Sequence, residues 1–223
     1  MTLLAYYVHH WSPFIVEFAE GFGLRWYGTA YVVGFLAAYW LLRWFARHGY
    51  SELPESRVGD FIIGVALFGV LLGGRLGYAL FYDFDTFIRN PLELFKVWEG
   101  GMASHGGMIG IVLYTLWYAW RHKISWTGLG DNLVVAAPIG IFFGRLANFI
   151  NGELYGRATQ VAWAVQFPKE LYENRELTVQ VVEGLQQAGA APVPTTVDNI
   201  VAASESSPAV REVLAEYLTP RHP

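Results

Sequence analysis

Four stretches of the chain are apolar for about the 20 residues that a helix needs to cross a bilayer. They are "WYGTAYVVGFLAAYWLLRWF" from Trp26, "FIIGVALFGVLLGGRLGYALFY" from Phe61, "MASHGGMIGIVLYTLWYAW" from Met102, and a run from Leu133 that leads into "GRLANFINGELYGR", Gly144 to Arg157. Aromatic residues crowd the ends of these runs, as they do at membrane interfaces. Beyond Glu153 the apolar runs shorten and turn residues and charges recur every few positions. The pattern predicts an all-α polytopic membrane protein with four transmembrane helices, at about 26–45, 61–82, 102–120 and 133–151, and a small extracytoplasmic α/β head. The expected domains are an interfacial arm over 1–25, a membrane domain over 26–152 and a head over 153–223.

Within the head, "WAVQF" alternates like a short strand and "ELTVQVVEGLQQAG" has helical spacing with a glycine stop. "AGAAPVPTT" reads as a linker or turn. "SSPAVREVLAEYL" opens with a serine cap and a proline in the first turn. Val210, Val213, Leu214 and Tyr217 fall on one side of that last helix, so it needs a packing partner. The expected partner is membrane helices beyond the chain.

Charge sets the orientation. The first connection holds Arg43, Arg47 and Arg57, and the third, "RHKISWTG", holds Arg121 and Lys123. Both are expected in the cytoplasm. The 83–101 loop balances Arg89 and Lys96 against Asp83, Asp85, Glu93 and Glu99. It is expected outside, with the N-terminus.

Composition agrees with a membrane protein: 54% of the 223 residues are hydrophobic and only 15% charged, against roughly 25% charged in an average soluble domain. A net charge of −4 with dispersed arginines excludes the basic stripe that nucleic acid requires. The absence of cysteine excludes disulfides, thiolate nucleophiles and cysteine-held metals. No metal site or cofactor is expected. The N-terminal stretch lacks a basic region and a cleavage site, so it reads as an arm and not a signal peptide.

Polar residues interrupt the apolar runs at one depth. At 1.5 Å per residue, Arg75 stands about 21 Å along the second helix and Arg145 about 18 Å along the fourth, both in the outer half of the membrane. His105 lies in the first turn of the third helix, and Tyr27 at the start of the first. On the fourth helix Ile141, Arg145, Asn148 and Gly152 share a narrow face. An arginine at mid-helix costs roughly 2.5 to 3.5 kcal/mol unless it is paired, so a partner or bound anion is expected. Arginine's planar fork suits the phosphate of a lipid headgroup. Each residue also has a plainer reading. Arg75 can snorkel to headgroups, His105 can be a packing histidine, and Gly73, Gly74, Gly106 and Gly107 can serve close helix contact.

The motifs resemble those of the prolipoprotein diacylglyceryl transferase family. "GRLANFINGELYGR" is similar to its signature, Gly-Arg-x-x-Asn-Phe-x-Asn-x-Glu-x-x-Gly, through Gly144, Arg145, Asn148, Phe149, Asn151, Glu153 and Gly156. "WYG" at Trp26, "GGRLGYALFYD" at Gly73 and "WEGGMASHGGMIG" at Trp98 resemble its other blocks, in order. The resemblance covers about residues 20–160. It implies a bacterial inner-membrane enzyme, multi-pass, with its N-terminus and active site facing the periplasm. This enzyme moves the diacylglyceryl group of phosphatidylglycerol onto the lipobox cysteine of a prolipoprotein signal peptide, forming a thioether and releasing glycerol phosphate. The implied catalytic residues are His105, Arg145 and Tyr27. Arg145, Asn148, Asn151, Glu153, Gly156 and Arg75 are the implied substrate-binding residues. His105 is a candidate base or positioning residue for the substrate thiol. The family continues with a further block and membrane helices, so the ending "RHP" is expected to mark a truncation and the 223 residues alone to transfer weakly or not at all.

Two other functions fit an intramembrane cluster of this kind. One is a transport or proton-relay subunit; the inner stretches "FIIGVALFGVLL" and "LVVAAPIGIFF", which lack ionisable groups, speak against it. The other is a non-catalytic assembly partner.

Overall fold

A computed structural model describes residues 6–19, 22–96, 101–190 and 192–223. The ends of the N-terminal arm at 1–5 and 20–21, Trp98 to Gly100 of the third motif, and Ala191 of the expected linker lie outside these residues. The chain divides into two compact units, one of residues 32–142 and one of the N-terminal segment up to Tyr31 with Phe143–Pro223.

Three helices are long and apolar enough to cross a membrane among the described residues: α1 (Trp26–Arg47), a continuous helix over Glu55–Phe81, and α6 (Trp126–Asn151). Three such helices make a multi-pass membrane protein. The second begins as a 3-10 turn and continues through α2 (Val58–Gly64), a π-helical stretch (Val65–Leu72) and α3 (Gly73–Phe81). After α4 (Phe84–Arg89), the third expected span forms as the 19-residue α5 (Ser104–His122), but it is not among the three. Its first turns hold Ser104, His105, Gly106, Gly107 and Gly110, and these dilute the apolar character that a crossing requires. Four crossings are therefore not established.

Within the 32–142 unit, Leu42, Val58, Phe61, Val65, Tyr118 and Leu129 form the buried core. The two basic connections meet at one end of this unit. Arg43 and Arg47 both pair with Glu55, at 2.6 and 2.7 Å. Arg57 Nη1 lies 2.9 Å from His122 Nδ1, and the Ser125 amide donates to Glu52 at 2.7 Å.

The Glu55–Phe81 helix and α5 touch backbone to backbone through glycine. A Cβ on Gly106 would stand 2.4 Å from the Gly73 carbonyl oxygen and 2.7 Å from the Cα of Gly77. Helix association in lipid depends on this closeness, because hydrocarbon offers no hydrophobic drive. Gly106→Ala should therefore force the helices apart, at a cost of about 3 kcal/mol or more. A lowered thermal midpoint of the detergent-solubilised protein is the expected reading.

The other unit is built differently. Strand β1 (Tyr7–Val8) pairs in parallel with β4 (Val165–Gln166), which pairs antiparallel with β5 (Pro220–Arg221). A separate hairpin joins β2 (Phe14–Ala19) to β3 (Phe22–Arg25). The helices α7 (Arg175–Gln187), α8 (Val197–Ser206) and α9 (Pro208–Tyr217) pack around Val8, Leu171, Val181, Ile200, Val210 and Leu214. Ser207 caps α9 by accepting from the Val210 amide at 3.4 Å, with Pro208 in its first turn. The apolar side of α9 is thus covered by α7, α8 and β1, and not by membrane helices as expected. The alternation in "WAVQF" condenses to the two residues of β4.

Candidate functional site

The signature run is first of all a helix stop. The Gly152 amide donates to the Phe149 carbonyl at 2.9 Å and the Glu153 amide to the Asn148 carbonyl at 3.0 Å. This is the double closure of a Schellman turn, with Gly152 as its left-handed residue at φ +65°. Leu154, at φ +53°, repeats the left-handed conformation without a glycine's freedom. Such strain, of order 1 to 3 kcal/mol, gathers at functional sites. The turn sets the directions in which Asn148, Asn151 and Glu153 leave the backbone. Asn151 Nδ2 donates to Glu153 Oε1 at 3.2 Å. The side-chain oxygens of Asn148 and Asn151 are buried and without a hydrogen-bond partner among the described residues, so each can accept from a ligand or water at little cost.

Upstream of the turn, Arg145 is exposed, and no hydrogen bond or ion pair ties its guanidinium to another described residue. Tyr27, half-buried in the first turn of α1, lies within electrostatic reach of both Arg145 and Glu153 and has its ring 5.5 Å from that of Tyr31. Tyr27 thus senses both a cation and a carboxylate of the signature run. Gly156 serves a different contact. Its amide donates to the His222 carbonyl at 2.8 Å, and a Cβ there would lie 2.8 Å from the His222 Cβ. It lets the signature's end pair with the 220–222 segment, where Arg221 bridges to the buried Glu170 at 2.6 Å.

Arg75 and His105 belong to the 32–142 unit. Arg75 is 5% exposed and spends its donors on the chain's own loop. It reaches the carbonyls of Glu93 at 2.6 Å, Lys96 at 3.0 Å, Gly101 at 3.0 Å and Leu94 at 3.2 Å. Its guanidinium also covers the Phe87 ring at 5.5 Å. His105 is exposed in the first turn of α5, next to the glycine contact. An apolar groove of about 600 Å³ runs along the same helix pair, lined by Leu72, Leu76, Leu80, Ile109, Leu113 and Trp117.

One residue at the turn has no signal in the sequence. His9 is 4% exposed and sits 5.5 Å edge-on to Phe149 and 5.4 Å stacked on Phe167. Burial holds its imidazole down at about 4, with His10 and Lys169 adding to the cost of a proton. The neutral ring is therefore the folded form. The unfolded chain takes up the proton first as pH falls below the ordinary value near 6.5. Stability should fall between pH 6.5 and 4 by about 3 kcal/mol from this residue alone. Thermal midpoints at pH 7 and 4.5 check it, and His9→Phe should flatten the difference.

A family model described as prolipoprotein diacylglyceryl transferase matches residues 13–223. The phosphatidylglycerol–prolipoprotein diacylglyceryl transferase of Bdellovibrio bacteriovorus is 40% identical over 248 residues, an alignment covering 97% of this chain and 70% of the relative. The protein of the same name from Geobacter sulfurreducens is 49% identical over 65% of this chain and 55% of its own length. That of Shewanella oneidensis is 44% identical over 70% of this chain and 61% of its own length. The chain thus spans between about half and 70% of the length of these relatives.

Proposed function

Because the chain belongs to the prolipoprotein diacylglyceryl transferase family, we propose that it transfers the diacylglyceryl group of phosphatidylglycerol to the lipobox cysteine thiol of prolipoproteins, the first step of lipoprotein maturation. The observation that carries this reading is the family match over nearly the whole chain, with the signature's polar side chains gathered at one helix end.

In this reaction the thiol sulfur forms a bond to the glyceryl carbon while that carbon's bond to phosphate oxygen breaks. The thiol proton goes to a base, and glycerol phosphate leaves. The departing phosphate changes from a diester with one negative charge to a monoester approaching two. A guanidinium held in place for that growing charge lowers the barrier, and this is the role of Arg145. Asn148, Asn151 and Glu153 orient the headgroup, while Tyr27 stands against the same charge cluster. His105 is the base for the thiol. Arg75 contributes by holding the backbone at Glu93, Leu94, Lys96 and Gly101, and the apolar groove beside α5 suits acyl chain. No cofactor takes part.

The proposed placement is the bacterial inner membrane, crossed four times with α5 as the additional crossing. The N-terminus, the 83–101 loop and the 153–223 head face the periplasm, an orientation that the grouping of Arg43, Arg47, Arg57 and Arg121 near two connections supports. Two measurements test the proposal. Glycerol phosphate should appear in step with thioether when membranes holding the protein receive phosphatidylglycerol and a lipobox peptide; thioether without it would exclude the reaction. A thiol introduced at Asp85 should react with an impermeant reagent from outside and one at Ser125 should not. The reverse would invert the topology.

A further inference from the structure

The far end of the signature run is pinned by the 219–222 segment. The Gly156 amide donates to the His222 carbonyl at 2.8 Å, the His222 amide to the Arg157 carbonyl at 3.1 Å and the Thr159 amide to the Pro220 carbonyl at 2.9 Å. What fixes that segment in turn is Glu170, in the 3-10 turn Pro168–Tyr172 that follows β4. Its carboxylate is buried and grips the segment on either side of Pro220: Oε1 accepts from Arg221 Nη2 at 2.6 Å and Oε2 from the Thr219 amide at 3.1 Å. The Arg221 guanidinium covers the Tyr155 ring at 5.0 Å, and that ring stacks on Phe167 at 5.0 Å. Glu170, Arg221 and Tyr155 thus form a relay of direct contacts that ends inside the signature, between Leu154 and Gly156.

Two features give this relay a geometric purpose beyond stability. Leu154 keeps its left-handed backbone, at φ +53°, although it is 72% exposed. Its own packing cannot hold so strained a conformation, so the neighbours on either side must. Before it stands the Schellman closure, and after it stand Tyr155 and Gly156. A buried ion pair is also a weak source of stability, because desolvation offsets most of the attraction and apolar residues of like size commonly serve as well. What the pair supplies is a fixed place for each partner.

We infer that Glu170 is a positioning residue: through Arg221 and Tyr155 it fixes the path of residues 153–156, and with it the direction in which the Glu153 carboxylate meets the substrate. The bearing on turnover rests on the transferase reading; the hold on the backbone does not.

The experiment compares wild type with Glu170→Gln and with the double variant Glu170→Leu, Arg221→Met, using the protein in its native membrane environment or in matched detergent. Glutamine leaves the guanidinium without its countercharge and should lower the thermal midpoint. The double variant removes both charges at similar volume, so its midpoint should return to or near that of wild type. Hydrogen exchange reads the hold without reference to activity: in the double variant the Gly156 and Thr159 amides should exchange about tenfold faster, while Val181 and Leu185 in α7 stay protected. In lipid transfer to a lipobox peptide, the double variant should lower kcat by about ten- to a hundredfold, as misplacement on the ångström scale does, with KM for phosphatidylglycerol changed less than about threefold. A merely structural role would restore kcat together with the midpoint, and that result would overturn the proposal. Unchanged exchange at Gly156 and Thr159 would overturn the hold, and so would lost protection at Val181 and Leu185, which would make the pair a support of the whole fold. Faster exchange at the signature's end with unchanged kcat would overturn its bearing on turnover. A wild type without transfer activity would count against the transferase reading instead.

Discussion

Arg145→Lys should cut diacylglyceryl transfer by one to several powers of ten while leaving the fold intact. The side chain is exposed and makes no hydrogen bond or ion pair to a described residue, so its replacement breaks no such bond. What changes is the chemistry presented to the phosphate. Lysine keeps one positive charge but loses the planar fork that meets two phosphate oxygens at once. Since the charge on the leaving phosphate grows along the reaction, the loss should fall on kcat more than on lipid affinity. Initial rates over a range of phosphatidylglycerol concentrations measure both. Near-normal kcat in the lysine variant would remove the phosphate clamp from the mechanism.

His105→Gln should abolish thioether formation and leave phosphatidylglycerol binding largely in place. Glutamine hydrogen-bonds much as imidazole does but cannot take a proton near neutral pH. The neighbouring glycines carry the tight contact between α5 and the preceding helix, and His105 itself is exposed, so the exchange should leave that packing alone. Binding of labelled lipid and formation of thioether, measured on the same preparation, separate the roles. A variant that fails to bind lipid would make His105 a positioning residue instead of the base.

Much of this architecture is written in local pattern. The runs from Trp26, Phe61 and Leu133 became α1, the Glu55–Phe81 helix and α6 because long apolar helices satisfy their backbone internally. Ser207 and Pro208 marked the start of α9 because a side-chain oxygen and a missing N–H are what a helix N-terminus uses. The glycines at Gly73 and Gly106 were legible as close contacts for the same kind of reason: only a missing Cβ permits that approach. The run from Met102 gave a helix but not an established crossing, since the glycines that let α5 pack also thin its apolar content.

Other features depend on partners far away in the chain. The pairing of β1 with β4 involves two residues on each side, too few to show any alternation. His9 lies in an arm whose sequence carries no catalytic pattern, and its burial depends on Phe149 and Phe167 far along the chain. α8 hid behind a linker-like stretch rich in proline and alanine. The carbonyl partners of Arg75 leave no trace in side-chain identity. The amide pair of Asn148 and Asn151 was legible as polarity at a helix end, but the orphaned oxygens, which suit them to accept from a ligand, depend on the turn's geometry.

Lipid-to-cysteine transfer at the signature site leaves its mark on the acceptor peptide. The direct measurement is the mass of a lipobox peptide after incubation with phosphatidylglycerol and membranes containing the protein, with Arg145→Lys membranes alongside. The expected result is a gain equal to one diacylglyceryl group, carried on the cysteine sulfur and strongly reduced with the variant. No gain in mass with wild-type membranes, or an equal gain with both, would contradict it.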